Sequence, residues 1–331
     1  MITMSQAVAD PVASFYRGKE VSIIVGTPPG GGFDLYGRLL ARHWGRSIPG
    51  EPALILRNMP GGGGITQVNY MMQRAARDGT QISIVNPVMT TAPFLTPSAA
   101  KWDSREFVWI GSANTEVSTC GFWPHSSIKS LDDLRAGGRE LIIAGVGPST
   151  GVTLDAITLR SMFNWNWKIV TGYPGLAQAM MSADGRETEG MCGLNVTTLK
   201  ARVWDRVKSG EIKILLQTSL KNHPDLPDVA NAFDLARTPE QKSMMEIVFG
   251  PWTFGRPFMT TADVPAERLA ALRESFKNVL ADPQLLAEAA KMQSEISYMA
   301  PDEITGLVNR LYAISPELRE KTRLLLDVQT N

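Results

Sequence analysis

Three loops concentrate the residues of this chain that could engage a ligand. Residues 27–34 read TPPGGGFD, 59–66 read MPGGGGIT and 145–151 read GVGPSTG. Glycine permits unusual backbone dihedrals and close approach of a ligand. Each loop runs into a segment of helical spacing, so unpaired N–H groups collect at a helix start, where the helix dipole also favours negative charge. The chemistry implied is recognition of an oxygen anion by backbone amides. In the third loop, hydroxyls replace some glycines, so side chains can share that task. The alternative is that these are ordinary turns between strands and helices.

Nucleotide chemistry does not fit the first loop. A P-loop ends in Gly-Lys-Ser/Thr, whereas this one ends Gly32-Phe33-Asp34. The dinucleotide pattern G-x-G-x-x-G, begun at Gly30 and Gly32, would require glycine where Leu35 stands. Nucleophilic catalysis is equally unsupported, because no Ser/His/Asp or Cys/His set falls in the loops. His43, His125 and His223 are scattered, and Cys120 and Cys192 have no metal-like spacing, so a structural zinc site is not expected. The two cysteines read as separate buried small hydrophobes; a disulfide in an oxidising compartment cannot be placed from sequence.

The elements that position the loops alternate strand and helix. Strands are expected over 21–26, 53–58 and 80–85, with helices over about 34–46 and 65–76 between them. Pro28 and Pro29 end the first strand because neither can donate to a sheet ladder. If the three strands are parallel, both glycine loops and Asn86 share the C-terminal edge where ligands gather in open α/β sheets. Asn86 has an equally good local role, capping the short segment after Pro87. Further strands are expected over 107–113 and 117–123. A second αβ series follows, with strands at 141–144, 168–171, 188–192 and 212–217 and Asn195 beyond the end of the third, 188–192. Residues 251–258 read as an extended return crossing. Helices over 265–280, 283–292 and 301–328 close the chain, each beginning at or beside a proline.

With 331 residues, two domains are the default. Lys plus Arg equals Asp plus Glu at 33 each, so no global field attracts nucleic acid or anionic lipid. No stretch reaches the roughly 18 apolar residues of a membrane span. The first residues lack the basic start and apolar middle of a signal peptide, although Ala7-Val8-Ala9 has the small-x-small form of a cleavage site. Residues 1–14 are therefore expected to be a processed or expression-derived end, poorly ordered.

The order and spacing of several segments resemble the substrate-binding proteins of tripartite tricarboxylate transporters, the Bug family. The carriers are TPPGGGFDLYGRLLARHW (27–44), RNMPGGGGITQVNYM (57–71), ARDGTQISIVN (76–86), IIAGVGPSTG (142–151), VTGYPGLAQAMMSADGRETEG (170–190) and VPAERLAALRESFKNVLADPQLLAEAAKM (264–292). The resemblance implies an α/β fold, a two-lobed periplasmic binding protein of type II with two hinge crossings. Lobe 1 would hold 15–121 and 252–331, lobe 2 would hold 122–251, and the crossings would lie near 119–123 and 251–255. It further implies a periplasmic, monomeric solute receptor without cofactor or metal. Its partners would be a small organic carboxylate and membrane transporter subunits. An enzyme on the same fold, or a receptor signalling to a membrane sensor, is the alternative.

Carried onto this chain, the ligand would sit against Gly31, Gly32, Phe33, Asp34, Gly63, Gly64, Ile65, Thr66 and Asn86. The second lobe would add Ser149, Thr150, Thr153 and Asn195. Asp34 is expected to cap its helix rather than meet a carboxylate of like charge. The family usually has Thr or Ser where this chain has Phe33, and commonly Lys where it has Pro174. Phe33 then offers a ligand an apolar face, favouring an acid with an aromatic or longer apolar body, or else packs inward against the first helix.

Overall fold

Short β-branched and apolar runs, each cut off by proline or glycine, build two separate sheets. The computed structural model describes residues 10–327. The strands are β1 (Glu20–Val25), β2 (Ala53–Asn58), β3 (Gln81–Ile84), β4 (Val108–Ser112), β5 (Ser118–Phe122), β6 (Leu141–Ala144), β7 (Trp167–Val170), β8 (Gly190–Asn195), β9 (Lys213–Gln217), β10 (Ala230–Asn231) and β11 (Pro257–Thr260). The first sheet runs β2-β1-β3-β11-β4 and the second β10-β9-β5-β8-β6-β7.

In the first sheet β1 is parallel to both β2 and β3, whereas β11 is antiparallel to β3 and β4. Every residue of β1 after Glu20 is buried, as expected when helices cover both faces of a parallel strand. Val21, Ile23 and Val25 pack with Leu39 and Leu40 of the Gly32–His43 helix, with Trp44 at its C-cap, and with Phe258 and Phe276. The second sheet repeats the αβ plan, with β6 parallel to β7 and β8. Its antiparallel member is β5, which lies between β9 and β8. Each sheet thus receives one antiparallel strand from the far side of a chain crossing.

Several expectations are corrected by the structure. Ser118–Phe122 pairs entirely within the second sheet, so the first crossing lies between Ser112 and Ser118, ahead of the expected 119–123. The return segment is a 3-10 turn over Gly250–Phe254 and becomes extended only at Pro257. The last helix is two, Pro301–Ala313 and Pro316–Asp327. Pro316 has no N–H to continue a helix and disfavours a helical residue before it, and Ile314 is already extended. The second of these helices brings Leu326 into a core with Leu154 and Phe249, so that helix packs on elements of the second lobe. At the other end, Asp10 caps a helix over Pro11–Tyr16 whose Tyr16 is fully buried. Residues 10–14 are therefore ordered; the rest of the expected processed end, and Val328, lie outside the described residues.

The cysteines are also paired. Cys120 of β5 and Cys192 of β8 form a disulfide across adjacent antiparallel strands. Seventy-two positions separate them in sequence, and only sheet register brings them together. Among the described residues, no helix is long and apolar enough to cross a membrane.

Candidate functional site

The parallel register of β1, β2 and β3 places the loops after them on one edge. The loops touch: a Cβ on Gly26 would lie 3.0 Å from the Gly64 Cα. In the first loop the helix begins at Gly32, with Gly31 as its cap. Asp34, two residues into that helix, is 2% exposed and reaches back to the Gly30 N–H at 2.9 Å. It also accepts from Arg38 Nε at 2.9 Å and Asn58 Nδ2 at 2.9 Å. Burial pushes the Asp34 carboxyl up, but the bonds from Arg38, Gly30 and Asn58 outweigh it and hold the carboxyl below its usual value. Asp34 therefore braces the loop through Gly30 and Asn58, and the expected side-chain cap on its helix is not made.

The second loop has an exceptional backbone. Gly61, Gly62, Gly63 and Gly64 all take positive φ, between 55° and 145°. Only glycine tolerates four such residues in succession. Ile65 then begins a buried helix over Ile65–Gln73, and the Thr66 side chain lies against Gly61. Asn86 donates to the Gly63 carbonyl at 3.4 Å and accepts from Val88 N–H at 3.4 Å, so it both caps its own turn and braces the glycine loop.

The second sheet brings the third loop to the same place. A Cβ on Gly63 would stand 3.0 Å from the Ser149 carbonyl oxygen and 3.6 Å from Thr150 Cγ2. Thr150 donates to the Gly147 carbonyl at 2.8 Å, and Thr153 Oγ1 accepts from Val146 N–H at 2.9 Å. These two hydroxyls hold their own loop. Asn195 ends β8 rather than lying beyond it, and its buried Oδ1 has no hydrogen-bond partner.

Phe33 resolves toward the second of its two expected roles. Its ring packs against the first core, and the Arg256 guanidinium lies 4.5 Å from its centroid. That arginine therefore occupies one face of the ring. A Cβ on Gly31 would meet open space, whereas one on Gly32 would lie 2.9 Å from Arg256 Nη2.

Arg256 was not among the candidates, although the sequence carries a signal for it. It is the sole charged residue between Glu246 and Asp263, in an otherwise apolar run. Across the lobe junction stand other groups that sequence reasoning missed. Arg202 donates to the Gly30 carbonyl at 2.7 Å. Lys200 pairs with both Asp225 and Glu295, and His223 Nε2 meets Glu295 Oε2 at 3.3 Å. Asp225 N–H donates to His223 Nδ1 at 3.1 Å, which leaves the ring hydrogen on Nε2 to donate to Glu295. The His223 bond, aided by Lys200, holds the Glu295 carboxyl down at about 2 against the effect of burial. His223, Asp225 and Glu295 bring three ligand-type atoms within 4.8 Å, but the Lys200 ammonium already lies against both carboxylates. Tyr36 closes this side, donating to the Glu295 carbonyl at 2.6 Å, and burial pushes its own hydroxyl pKa up.

The lobes are thus in contact. The cavity at the Gly32 helix start, lined by Leu35, Tyr36, Thr197 and Arg202 among others, measures about 20 Å³. That is room for one water. Any solute must enter by parting the loops and the Lys200–Glu295 clasp. What the arrangement offers chemically is a set of amide and guanidinium donors shared between two bodies.

Comparison with known proteins agrees with this architecture. The chain is 25% identical over 228 residues to the UPF0065 protein of the tcbD-tcbE intergenic region of Pseudomonas sp. (strain P51). That match covers 68% of this chain and 65% of the relative, so the chain spans just under two thirds of that protein's length. The fold matches the periplasmic binding protein BugD with a TM-score of 0.72 at 21% identity, covering 93% of this chain and 98% of that one. It matches an adipate-bound Rhodopseudomonas palustris protein, Rpa4515, with a TM-score of 0.71 at 17% identity, covering 92% and 97%. Malate-bound MatC of R. palustris matches with a TM-score of 0.69 at 15% identity, covering 92% and 99%. These likenesses establish a two-lobed periplasmic-binding-protein fold. The family model described as TctC, tripartite tricarboxylate transporter family receptor, matches residues 45–311, and the chain belongs to that family.

Proposed function

We propose that the chain is an extracytoplasmic receptor that closes two lobes on a small organic carboxylate and delivers it to the membrane subunits of a tripartite tricarboxylate-type transporter. The observation that carries this reading is the meeting of the Gly61–Gly64 loop with Ser149 and Thr150 across the lobe junction, beside the Gly32 helix start. A carboxylate there would accept from the N–H groups of Gly32 and Phe33 on one side and from the Ser149 loop and Asn195 on the other. Bonds from neutral amides to a charged oxygen are stronger than those between neutral groups. Malate and adipate in the fold neighbours support the ligand class.

A periplasmic location is supported by the Cys120–Cys192 disulfide, since such bonds persist in oxidising compartments. The receptor acts as a monomer that binds one ligand per chain. Asp34 and Phe33 serve as supports of the site, and the ligand is chosen by its acid group rather than by an aromatic body.

Thermal unfolding with a panel of mono-, di- and tricarboxylic acids tests the reading. A ligand at 100 times its Kd adds about 2.7 kcal/mol to the folded state. For a chain of this size that raises Tm by roughly 5–10 °C. The acid should be recovered unchanged. A panel in which no acid moves Tm by more than about 1 °C would refute the receptor reading.

A further inference from the structure

Arg256 occupies a position that stability alone disfavours. It is 1% exposed, at the first-sheet edge where β1 and β3 end, since Pro257 pairs beside Val85. Its Nη2 lies 2.9 Å from where a Cβ of Gly32 would be, so a cation sits against the positive end of a 12-residue helix. Its compensation is thin. Nη1 donates to the Gly255 carbonyl at 3.1 Å, Nη2 stands 3.4 Å from Glu116 Oε2, and Nε has no hydrogen-bond partner. A guanidinium has five N–H donors, and a buried one normally uses them. The Phe33 and Tyr36 rings, 4.5 Å and 5.3 Å from the guanidinium, fix its plane without satisfying its hydrogen bonds.

Glu116 is the other half of the arrangement. It lies in the first crossing, 2% exposed in its side chain, and accepts from Val117 N–H at 3.2 Å and from Thr197 N–H of the second lobe at 3.4 Å. It is therefore held by groups other than Arg256, and its contact with Arg256 is long. An internal carboxylate placed near a cation, but not bonded closely to it, can yield to a better-seated one.

We propose that Arg256 is the specificity-determining cation of the cleft, receiving the ligand's carboxylate in place of Glu116. The substrate class is then an acid with a free, ionised carboxylate at the Gly32 helix start, and the matching neutral amide is rejected. This rests on the receptor reading above. The planar fork of arginine matches a carboxylate's two oxygens, which a lysine point charge does not.

Calorimetric titration of malate, adipate and benzoate, with adipamide and benzamide as neutral partners, tests the assignment. The variants are Glu116→Gln, Arg256→Lys and the double Arg256→Gln/Glu116→Gln. The double variant removes both charges, avoiding the uncompensated buried carboxylate that Arg256→Gln alone would leave. The parent should prefer acid to amide by about 30-fold or more, the scale of a buried charge pair, and the double variant should lose that preference. Arg256→Lys should weaken acid binding by about tenfold or more through loss of the fork. Glu116→Gln should tighten it severalfold by removing the competing carboxylate.

If the folded double variant binds the acids as the parent does, Arg256 is not the selector, while the receptor reading stands. If the parent binds none of the acids, both fall. Should the double variant fail to fold, the parent's acid-to-amide ratio and Glu116→Gln decide: equal binding of acid and amide, or no tightening, overturns the proposal.

Discussion

Replacing Asp155 by asparagine should abolish a pH dependence of stability that the parent carries. Asp155 is fully buried in the Gly151–Phe163 helix, where it joins three segments. Ser118 Oγ donates to it at 2.9 Å from β5, Thr218 Oγ1 at 3.2 Å from beyond β9, and Trp252 Nε1 at 3.0 Å from the return crossing. Burial pushes its carboxyl up to about 7 from the usual 3.8, and the three donors only partly oppose that. Between those values the folded protein holds a proton that the unfolded chain has released, so stability falls as pH rises. The fall begins above 3.8 and levels off once pH passes about 7. Integrating the linkage from about pH 5 to about pH 8 gives a loss of roughly 2–3 kcal/mol in the parent. Asparagine does not titrate, can still accept from Trp252, and the two hydroxyls can turn to accept from its amide. Urea unfolding of both proteins at the two pH values measures the difference, and other titrating groups cancel because they are shared. The parent should lose ground to Asp155→Asn as pH rises. A gap that stays constant within about 0.5 kcal/mol, or moves the other way, would refute the buried, proton-holding carboxyl.

Two further outcomes follow from the backbone and the disulfide. Gly63→Val forces a β-branched residue to φ 68° and crowds the Ser149 carbonyl, so affinity for any acid that binds the parent should fall at least about tenfold. Gly31→Val, at φ −86° with open space around its Cβ, should bind within about threefold of the parent; equal calorimetric affinities for both variants would mean the Gly63 loop is a turn and no more. Reducing Cys120–Cys192 should lower unfolding free energy by about 4 kcal/mol, the chain-entropy value for a loop of 72 residues, and the double Ser variant should match the reduced protein. Denaturation midpoints indifferent to reductant would contradict that.

Much of the fold was legible because its causes are local. Val21–Val25 announces a buried strand by composition, and Pro28-Pro29 with three glycines announces where it must stop. Ser130 begins its helix with a reciprocal capping box to Asp133 three residues on, a signal carried by neighbouring residues. Local signals failed where two valid readings competed. Residues 251–258 alternate aromatic and small side chains like a strand, but Pro251 and Gly255 make the first half a turn. The expected helix over 301–328 kept its apolar spacing through Ser315-Pro316, yet the proline broke it.

What the sequence determined by itself is therefore the alternation of elements, the three loops and the conformational freedom their glycines require. These depend on residues within a few positions of one another. Tertiary structure alone decided which residues face each other across the junction. Arg256 reaches Glu116 over 140 positions, Lys200 reaches Glu295 over 95, and Cys120 reaches Cys192 over 72. No local pattern encodes such pairings, because they arise from strand register and the packing of two lobes. A short segment carries its own propensity, but a site between two bodies exists only once both have folded.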